Sequence, residues 1–190
     1  GIRYAFKNRF IGKLLFIYGL FTLLCVPAGY LAGLLVRRTF GNTYWYLTAV
    51  EIVGFAGMTA GGVVMSIWGG FRKRERTLTE GLFAFGAFAI GMGLTKNFIL
   101  YLFLMFFYGI ALTAAQTSIT TLLQEKSEPA MHGRVFGLFS TMYAGFLPLG
   151  MLLFGPLADL VPLQWLMAGS GAALIAIAGI IGVRLKFRNI

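Results

Sequence analysis

Six long apolar runs, separated by short and mostly basic connectors, make up almost the whole of this chain. Each run is near or above the roughly 20 residues that a membrane-spanning helix needs. Backbone groups cannot stay unpaired in lipid, and the runs are too long and too irregular for barrel strands, so each is predicted to be a helix. The runs are Leu14–Val36, Tyr44–Phe71, Thr77–Thr95, Asn97–Leu123, Val135–Ala158 and Leu163–Val183.

The composition is that of a protein dissolved in lipid. Hydrophobic residues make up 58% of the chain and charged residues 12%, about half the share that is usual in a soluble domain. The net charge of +10 would suggest nucleic acid in a soluble protein, but here the cations lie in connectors and at the ends of apolar runs. The expected partner is therefore the lipid bilayer with its anionic headgroups, and no nucleic-acid partner is expected.

The basic residues also predict an orientation. The N-terminus and every second connector after it hold thirteen of the sixteen Lys and Arg. Because positive charge favours the cytoplasmic side, both termini are predicted to be cytoplasmic in a multi-pass protein of the cell (inner) membrane. The opposite set of connectors holds only Arg37, Arg38 and Lys96.

Two regions are predicted along the chain. Residues 1–13 mix aromatic and basic side chains, which is typical of a short interfacial or linker helix on the cytoplasmic face. A disordered basic tail is the alternative interpretation. Residues 14–190 are predicted to form one bundle of six transmembrane helices.

Glu51 is the acid that most invites a functional hypothesis. It lies seven residues after Tyr44, roughly 10 Å below the predicted outer end of its helix. A carboxyl in lipid is costly, and burial would favour its protonated form, as a proton-coupled transporter requires. Two alternatives stay open: structural pairing with Arg37 or Arg38, and a helix boundary that differs from the predicted one.

Polar side chains form stripes on the first and fourth predicted helices. Helical spacing places Tyr18, Thr22 and Cys25 on one face of the first, and Thr113 and Gln116 on one face of the fourth. Tyr108 lies on the outer half of the fourth. Such stripes face a bundle interior or a wet cavity more readily than lipid. Hydrogen bonding between helices is the alternative to ligand binding for each of them.

Glycine and proline mark places of close packing and bending. Gly57 and Gly61 stand four apart, as Gly29 and Gly33 do, so that each pair shares a helix face that another backbone can approach. Static packing is the preferred interpretation for most of the glycines. Prolines interrupt the first and fifth helices and can bend them, as in many transporters; these are Pro27, Pro148 and Pro156.

Several kinds of chemistry are excluded. The chain contains neither the glycine-rich phosphate loop that ends in Lys-Ser/Thr nor a Gly-x-Ser-x-Gly elbow. It has one His and one Cys, so that a conventional zinc site is excluded. No enzymatic activity, cofactor or metal site is therefore predicted.

Several short motifs resemble those of the major facilitator superfamily of transporters, in the branch of bacterial drug, macrolide and siderophore exporters. The most specific resembles the connector before the eleventh helix of these proteins, and the others fit the same branch. The motifs are Glu125-Lys126-Ser127-Glu128-Pro129, Gly133-Arg134-Val135-Phe136-Gly137-Leu138, Leu147-Pro148-Leu149-Gly150, Gly155-Pro156-Leu157-Ala158-Asp159 and Gly69-Gly70-Phe71-Arg72-Lys73-Arg74.

The resemblance implies half of a major facilitator fold, an all-α polytopic membrane protein in which six helices form two inverted three-helix repeats. It implies secondary active export of small hydrophobic or amphipathic compounds driven by protons. The partner would be a missing N-terminal half or a second copy. The alternative is a non-transporting six-helix scaffold or assembly partner.

The resemblance also suggests roles for individual residues, because the first helix of each repeat lines the cavity in this superfamily. Glu51 would couple protons or attract cations, and three arginines would hold a cytoplasmic gate by pairing with acids or helix C-termini. The gate residues are Arg72, Arg74 and Arg134, and the cavity residues are Tyr18, Thr22, Tyr108, Thr113 and Gln116.

Overall fold

Six helical spans are present in the computed structural model, which describes residues 2–41, 43–70 and 73–188, with side chains as far as residue 184. No strand occurs in these ranges, and the predicted all-α polytopic fold is confirmed. The first span, Arg9–Thr39, consists of two helices joined by a π-helical turn at Val26–Tyr30. The helices are α1 (Ile2–Lys7), α2 (Arg9–Leu24), α3 (Ala32–Thr39), α4 (Tyr44–Trp68), α5 (Arg74–Leu94), α6 (Phe98–Lys126), α7 (His132–Leu160) and α8 (Leu163–Arg188).

Local sequence sets several helix ends. The Asn8 side chain accepts a hydrogen bond from the amide of Ile11 at 3.4 Å, and Asn97 accepts one from Ile99 at 3.0 Å, so that α2 and α6 begin with capped amides. Gly69 ends α4 at φ +73°, a left-handed conformation that glycine adopts without steric cost.

A helix break at Asn8 lies inside the predicted segment 1–13. Helix α1 ends at Lys7 and α2 begins at Arg9, so residues 9–13 belong to the first span. The Ala5 carbonyl oxygen would lie 2.9 Å from a Cβ added at Gly12, which shows that α1 folds back closely on α2. Its interfacial position in a membrane stays a prediction.

The main contacts between helices follow a two-repeat pattern, in which the first three spans correspond to the last three. The first span packs mainly against α7, and α4 packs mainly against α6, while α5 packs against α8. Let spans one, two and three correspond to spans four, five and six. The contact between spans one and five (the first span and α7) then corresponds to the contact between spans four and two (α6 and α4). The contact between spans three and six (α5 and α8) corresponds to itself. This is the pairing that two related repeats would give.

The α5–α8 crossing shows the same relation at atomic level. A Cβ added at Gly86 would lie 2.5 Å from the Gly171 carbonyl oxygen and 2.8 Å from Cγ1 of Ile175. A Cβ added at Gly171 would lie 2.5 Å from the Gly86 oxygen and 2.8 Å from Cγ1 of Ile90. Each isoleucine follows its glycine by four residues, so the two contacts are reciprocal and indicate a local twofold relation.

A second close crossing joins α4 to α6, as the spacing of Gly57 and Gly61 predicts. A Cβ at Gly57 would collide with the Phe106 carbonyl, and one at Gly109 would lie 2.8 Å from the Met58 nitrogen. Small residues let two backbones approach this closely in a membrane, where packing and hydrogen bonds replace the hydrophobic drive between helices.

Candidate functional site

The first span is broken near its middle. Pro27 has no amide hydrogen, and beyond it the Leu31 amide reaches back five residues to the Val26 carbonyl at 3.0 Å. The carbonyl of Leu23, four residues before the proline, lies 3.0 Å from where a Cβ at Gly150 of α7 would be. Discontinuous helices of this kind form binding sites near the midplane of many transporters.

Phenol groups surround this turn. The hydroxyls of Tyr30, at the end of the turn, and Tyr143, on α7, share a hydrogen bond of 2.7 Å. Their residues are 49% and 38% exposed, so both can also meet a ligand from outside. We refer to Tyr30 and Tyr143 as the tyrosine pair. Sequence reasoning missed it; the available signal was a tyrosine three residues after a proline within an apolar run.

Three predicted cavity residues lie beside the tyrosine pair but are closed off in this structure. Tyr18 stacks on Phe139 with ring centroids 4.0 Å apart, and the Thr22 hydroxyl donates to the Tyr18 carbonyl at 2.9 Å. Tyr108 lies against the Cys25 thiol and 3.4 Å from where a Cβ at Gly29 would be. All three are at most 4% exposed, so they form the floor beneath the turn.

The other two predicted cavity residues are not brought to the turn. The Thr113 hydroxyl donates to carbonyls of Gly109 and Met58, at 3.1 and 3.2 Å, and so joins α6 to α4. This contact is the interhelical hydrogen bond that was the alternative interpretation of the stripe. Gln116 is exposed, and its side chain has no hydrogen-bond partner in the described part of the chain.

Glu51 is exposed on the N-terminal half of α4 and is not enclosed within the described bundle. One turn before it, Leu47 faces the first span, because its Cδ2 lies 3.4 Å from where a Cβ at Gly33 would be. Residues four apart share a helix face, so Glu51 lies on the same face of α4 as Leu47. Among the described residues it has no ion-pair partner.

The alternative pairing of Glu51 with Arg38 is not seen. Arg38 instead donates to the Ala158 carbonyl at 2.6 Å and lies 3.3 Å from the Asp159 carboxylate, which ties α3 to the end of α7. Arg37 is exposed, and no contact of its side chain occurs in the described ranges.

Of the three predicted gate residues, Arg74 makes both kinds of contact that the resemblance implies. It donates to the Gly69 carbonyl at 2.5 Å, beyond the C-terminus of α4, and lies 3.6 Å from Glu125 on α6. Arg134 is exposed, and its side chain meets no partner among the residues that the structure covers. Arg72 lies outside the described residues.

We expect Arg74→Gln to destabilise the protein by about 1 kcal/mol, because it removes a charged donor from a helix C-terminus together with an exposed ion pair. Glu125→Gln removes only the ion pair and should cost about 0.5 kcal/mol or less. Thermal unfolding in detergent would measure both. Arg134→Gln is the matched control, and a cost as large as that of Arg74→Gln would show that the contacts of Arg74 do not stabilise the fold.

No cluster of three or more His, Cys, Asp or Glu that could hold a metal ion occurs in the described portion of the chain. The polar groups of the site are phenols, a thiol, a hydroxyl and one separate carboxylate. Phenols and hydroxyls can orient an amphipathic ligand by hydrogen bonds and ring contacts.

Comparisons with known proteins identify the family of this chain. The family model described as transmembrane secretion effector matches residues 1–190. Macrolide efflux protein A of Streptococcus pyogenes is 26% identical over 174 residues, which are 90% of this chain and 43% of that protein. The protein of the same name from Enterococcus faecalis is 26% identical over 147 residues, 76% of this chain and 46% of that protein. The chain thus spans less than half the length of these relatives.

The match extends over all six spans and includes the motifs from which the resemblance was predicted. The resemblance is therefore confirmed. The family description and the names of the relatives denote export across a membrane, and the prediction that the chain is not an enzyme is confirmed as well. This chain belongs to the transmembrane secretion effector family of the major facilitator superfamily.

Proposed function

We propose that this chain is the C-terminal half of a twelve-helix secondary transporter, which exports small hydrophobic or amphipathic compounds in exchange for protons. The observation that carries the proposal is the broken first span, where the turn at Val26–Tyr30 presents the exposed tyrosine pair above a closed aromatic floor. Irregular backbone is tolerated at membrane depth where it is covered by protein or lines a wet cavity. The exposed side of the turn favours the cavity.

The uncovered surface of α7 supports the arrangement as a half. Only 11% of its most apolar stretch is buried, compared with 56% for the first span. Gly137 and Gly145 have open space within 4 Å of where a Cβ would be, so α7 offers a small-residue surface that no described element covers. We assign this surface to an N-terminal half, with a second copy as the alternative. A reading frame that continues upstream through six more apolar spans would support the first assignment.

The distribution of Lys and Arg supports an inner-membrane protein with both termini in the cytoplasm. In this orientation the Arg38–Asp159 pair lies on the outer side and the Arg74–Glu125 pair on the cytoplasmic side. Export would proceed as this half rocks against its partner, with access to the turn alternating between the two faces.

The chemistry of the site fits an amphipathic substrate. Exposed phenols offer hydrogen bonds to polar groups, while the aromatic floor offers apolar contact. The relatives are named for the efflux of macrolides, and we extend to this chain the export of compounds that combine polar and apolar surface.

The test is drug export by the full-length protein in cells or proteoliposomes. We expect Tyr30→Phe to raise the apparent KM for an exported compound about threefold to tenfold, since one hydrogen bond contributes about 0.5–1.5 kcal/mol. Tyr143→Phe should have a similar effect. In the double variant the apparent KM should rise by less than the product of the two single increases, because the two residues share one hydrogen bond.

Tyr44→Phe is the matched control, because Tyr44 is 86% exposed at the outer end of α4, away from the turn. Equal effects of Tyr30→Phe and Tyr44→Phe would remove the tyrosine pair from the proposal. Two results would favour the alternative interpretation, a non-transporting scaffold: deleting the protein leaves compound accumulation unchanged, and no compound stabilises it.

A further inference from the structure

A deep apolar groove opens beside the first span, and neither member of the tyrosine pair lines it. It has a volume of 1180 Å³ and lies between α2, α7 and α8, with α1 along its edge. This exceeds the range of about 300–1,000 Å³ that holds drug-sized ligands. Its inner wall consists of aliphatic and aromatic side chains such as Leu15, Leu20, Leu138, Ile177 and Ile181.

The groove occurs where the relation between the two repeats fails. Helix α5 packs closely along α6, and a Cβ at Gly81 would lie 3.2 Å from the Ala115 nitrogen. In the repeat pattern, the pair that corresponds to α5 and α6 is α8 and the first span, and these two touch only weakly. The groove occupies the space that helix packing closes at the equivalent α5–α6 pair, so its apolar wall needs another covering.

Cations stand at one end of the groove only. Arg9 and Lys13 lie near the start of α2, and Arg184 lies near the end of α8; all three are exposed and line the groove. Among the described lining residues Glu75 is the one acid, so that these residues together carry two excess positive charges at this end. Neither ion pair recorded among the described residues involves these three cations.

The length of the groove matches one leaflet of a bilayer. From Arg9 to Leu20 the α2 axis advances roughly 16 Å, whereas half of a hydrocarbon core is roughly 15 Å. Cations at one end and an apolar wall below them have the amphipathic pattern of a phospholipid, whose phosphate lies at the surface and whose chains lie in the core.

Helix α1 holds the headgroup end of the groove in place. The Glu128 amide donates to the Tyr4 hydroxyl at 3.1 Å, and the Lys126 ammonium lies 5.8 Å from the centre of the Phe10 ring. The first contact fixes α1 to the connector after α6, and the second holds the start of α2 against the end of α6. Ala5 and Phe6 of α1 contribute to the groove. The cationic end is thus bounded by an anchored helix and not by a free tail.

We propose that this groove binds one anionic phospholipid, with its phosphate between Arg9, Lys13 and Arg184 and an acyl chain along α2 and α8. A net positive mouth favours an anionic headgroup over a zwitterionic one. The same charge disfavours a cationic drug as the occupant. The proposal depends neither on which membrane face is cytoplasmic nor on what the protein transports.

The experiment uses the full-length protein in nanodiscs that contain equal amounts of phosphatidylglycerol and phosphatidylcholine. Native mass spectrometry after release into mild detergent would count the lipids that stay bound. We expect the wild type to retain one phosphatidylglycerol, and the variant Lys13→Gln/Arg184→Gln to bind it at least about tenfold more weakly. Arg3→Gln/Lys7→Gln is the matched control, because both residues are exposed cations of α1 that do not line the groove.

A second variant keeps the charges and fills the groove. Ile180→Trp places a bulky ring in the groove at a position that is 57% exposed and so has room for it. It should expel the lipid while transport and thermal stability stay near those of the wild type. Equal lipid loss in both charge variants would reduce the site to general surface attraction, and retention of either lipid without preference would also overturn the proposal. If the groove retains no lipid and Ile180→Trp prevents folding, another part of the full-length protein covers it.

Discussion

Replacing Gly57 with valine should destabilise the protein by about 3 kcal/mol or more, a large fraction of the stability of most folds. The new Cβ would collide with the Phe106 carbonyl oxygen and lie 3.1 Å from its Cα, and neither backbone atom can turn aside as a side-chain end can. The α4–α6 crossing would have to open, and the Thr113 bond to Met58 would break with it. Reversible unfolding of the full-length protein in detergent micelles would measure the loss.

Gly62→Val on the same helix is the control. Both substitutions replace glycine by the same β-branched residue within a helix, but no atom lies within 4 Å of the Cβ position at Gly62. The difference in unfolding free energy between the two variants therefore measures the contribution of the α4–α6 crossing without that of the intrinsic helix propensity of valine. Equal losses would show that the close approach of α4 and α6 contributes nothing to stability.

Glu51→Gln should abolish proton-driven accumulation while leaving compound binding intact. Glutamine resembles glutamate in shape but cannot release or take up a proton. If one proton per cycle is coupled through this carboxyl, its loss removes about 2.3 kcal/mol of drive at 100 mV, or about fiftyfold in the concentration ratio that export can maintain. Uptake of compound into inverted vesicles under an imposed proton gradient would measure the ratio.

Glu128→Gln is the control for this variant, because Glu128 is an exposed acid in the connector between α6 and α7. It removes the same charge outside the spans and should leave the ratio unchanged. Compound exchange without a gradient should survive in Glu51→Gln, since exchange needs no net proton movement. A Glu51→Gln protein that still accumulates compound as the wild type does would exclude this carboxyl from proton coupling.

The six spans could be predicted from the sequence because lipid allows few backbone solutions, and a run such as Asn97–Leu123 has one way to satisfy its amides there. The predicted ends differ from the observed ones by a few residues. Helix α6 continues to Lys126, since polar residues at helix ends can reach the headgroup region.

The candidate site was harder to predict, because its contacts join distant parts of the chain. Tyr30 and Tyr143 are 113 residues apart, and nothing local to either residue indicates the other. Pro27 indicates a break in the first span, but not the partner that accepts the irregular backbone, which is Gly150 on α7.

Helical spacing also could not tell which polar residues bind a ligand and which join helices. Thr113 and Tyr108 occur on the same helix, yet Thr113 bonds to a backbone carbonyl of α4 and Tyr108 forms part of the floor beneath the turn. The outcome depends on how far each neighbouring helix approaches, which is set by glycines such as Gly57 and Gly109 on two different spans.

The reciprocal contact of Gly86 with Gly171 provides a pivot point between the two repeats. A point on a rotation axis stays in place while distant points travel, and Arg74 lies twelve residues, roughly 18 Å, along α5 from Gly86. A tilt of α5 by about 10° around the crossing would move Arg74 by roughly 3 Å. This is enough to break the hydrogen bond from Arg74 to the Gly69 carbonyl. The two glycines would remain in contact during such a tilt, so the smallest residues of the crossing would lie at its pivot.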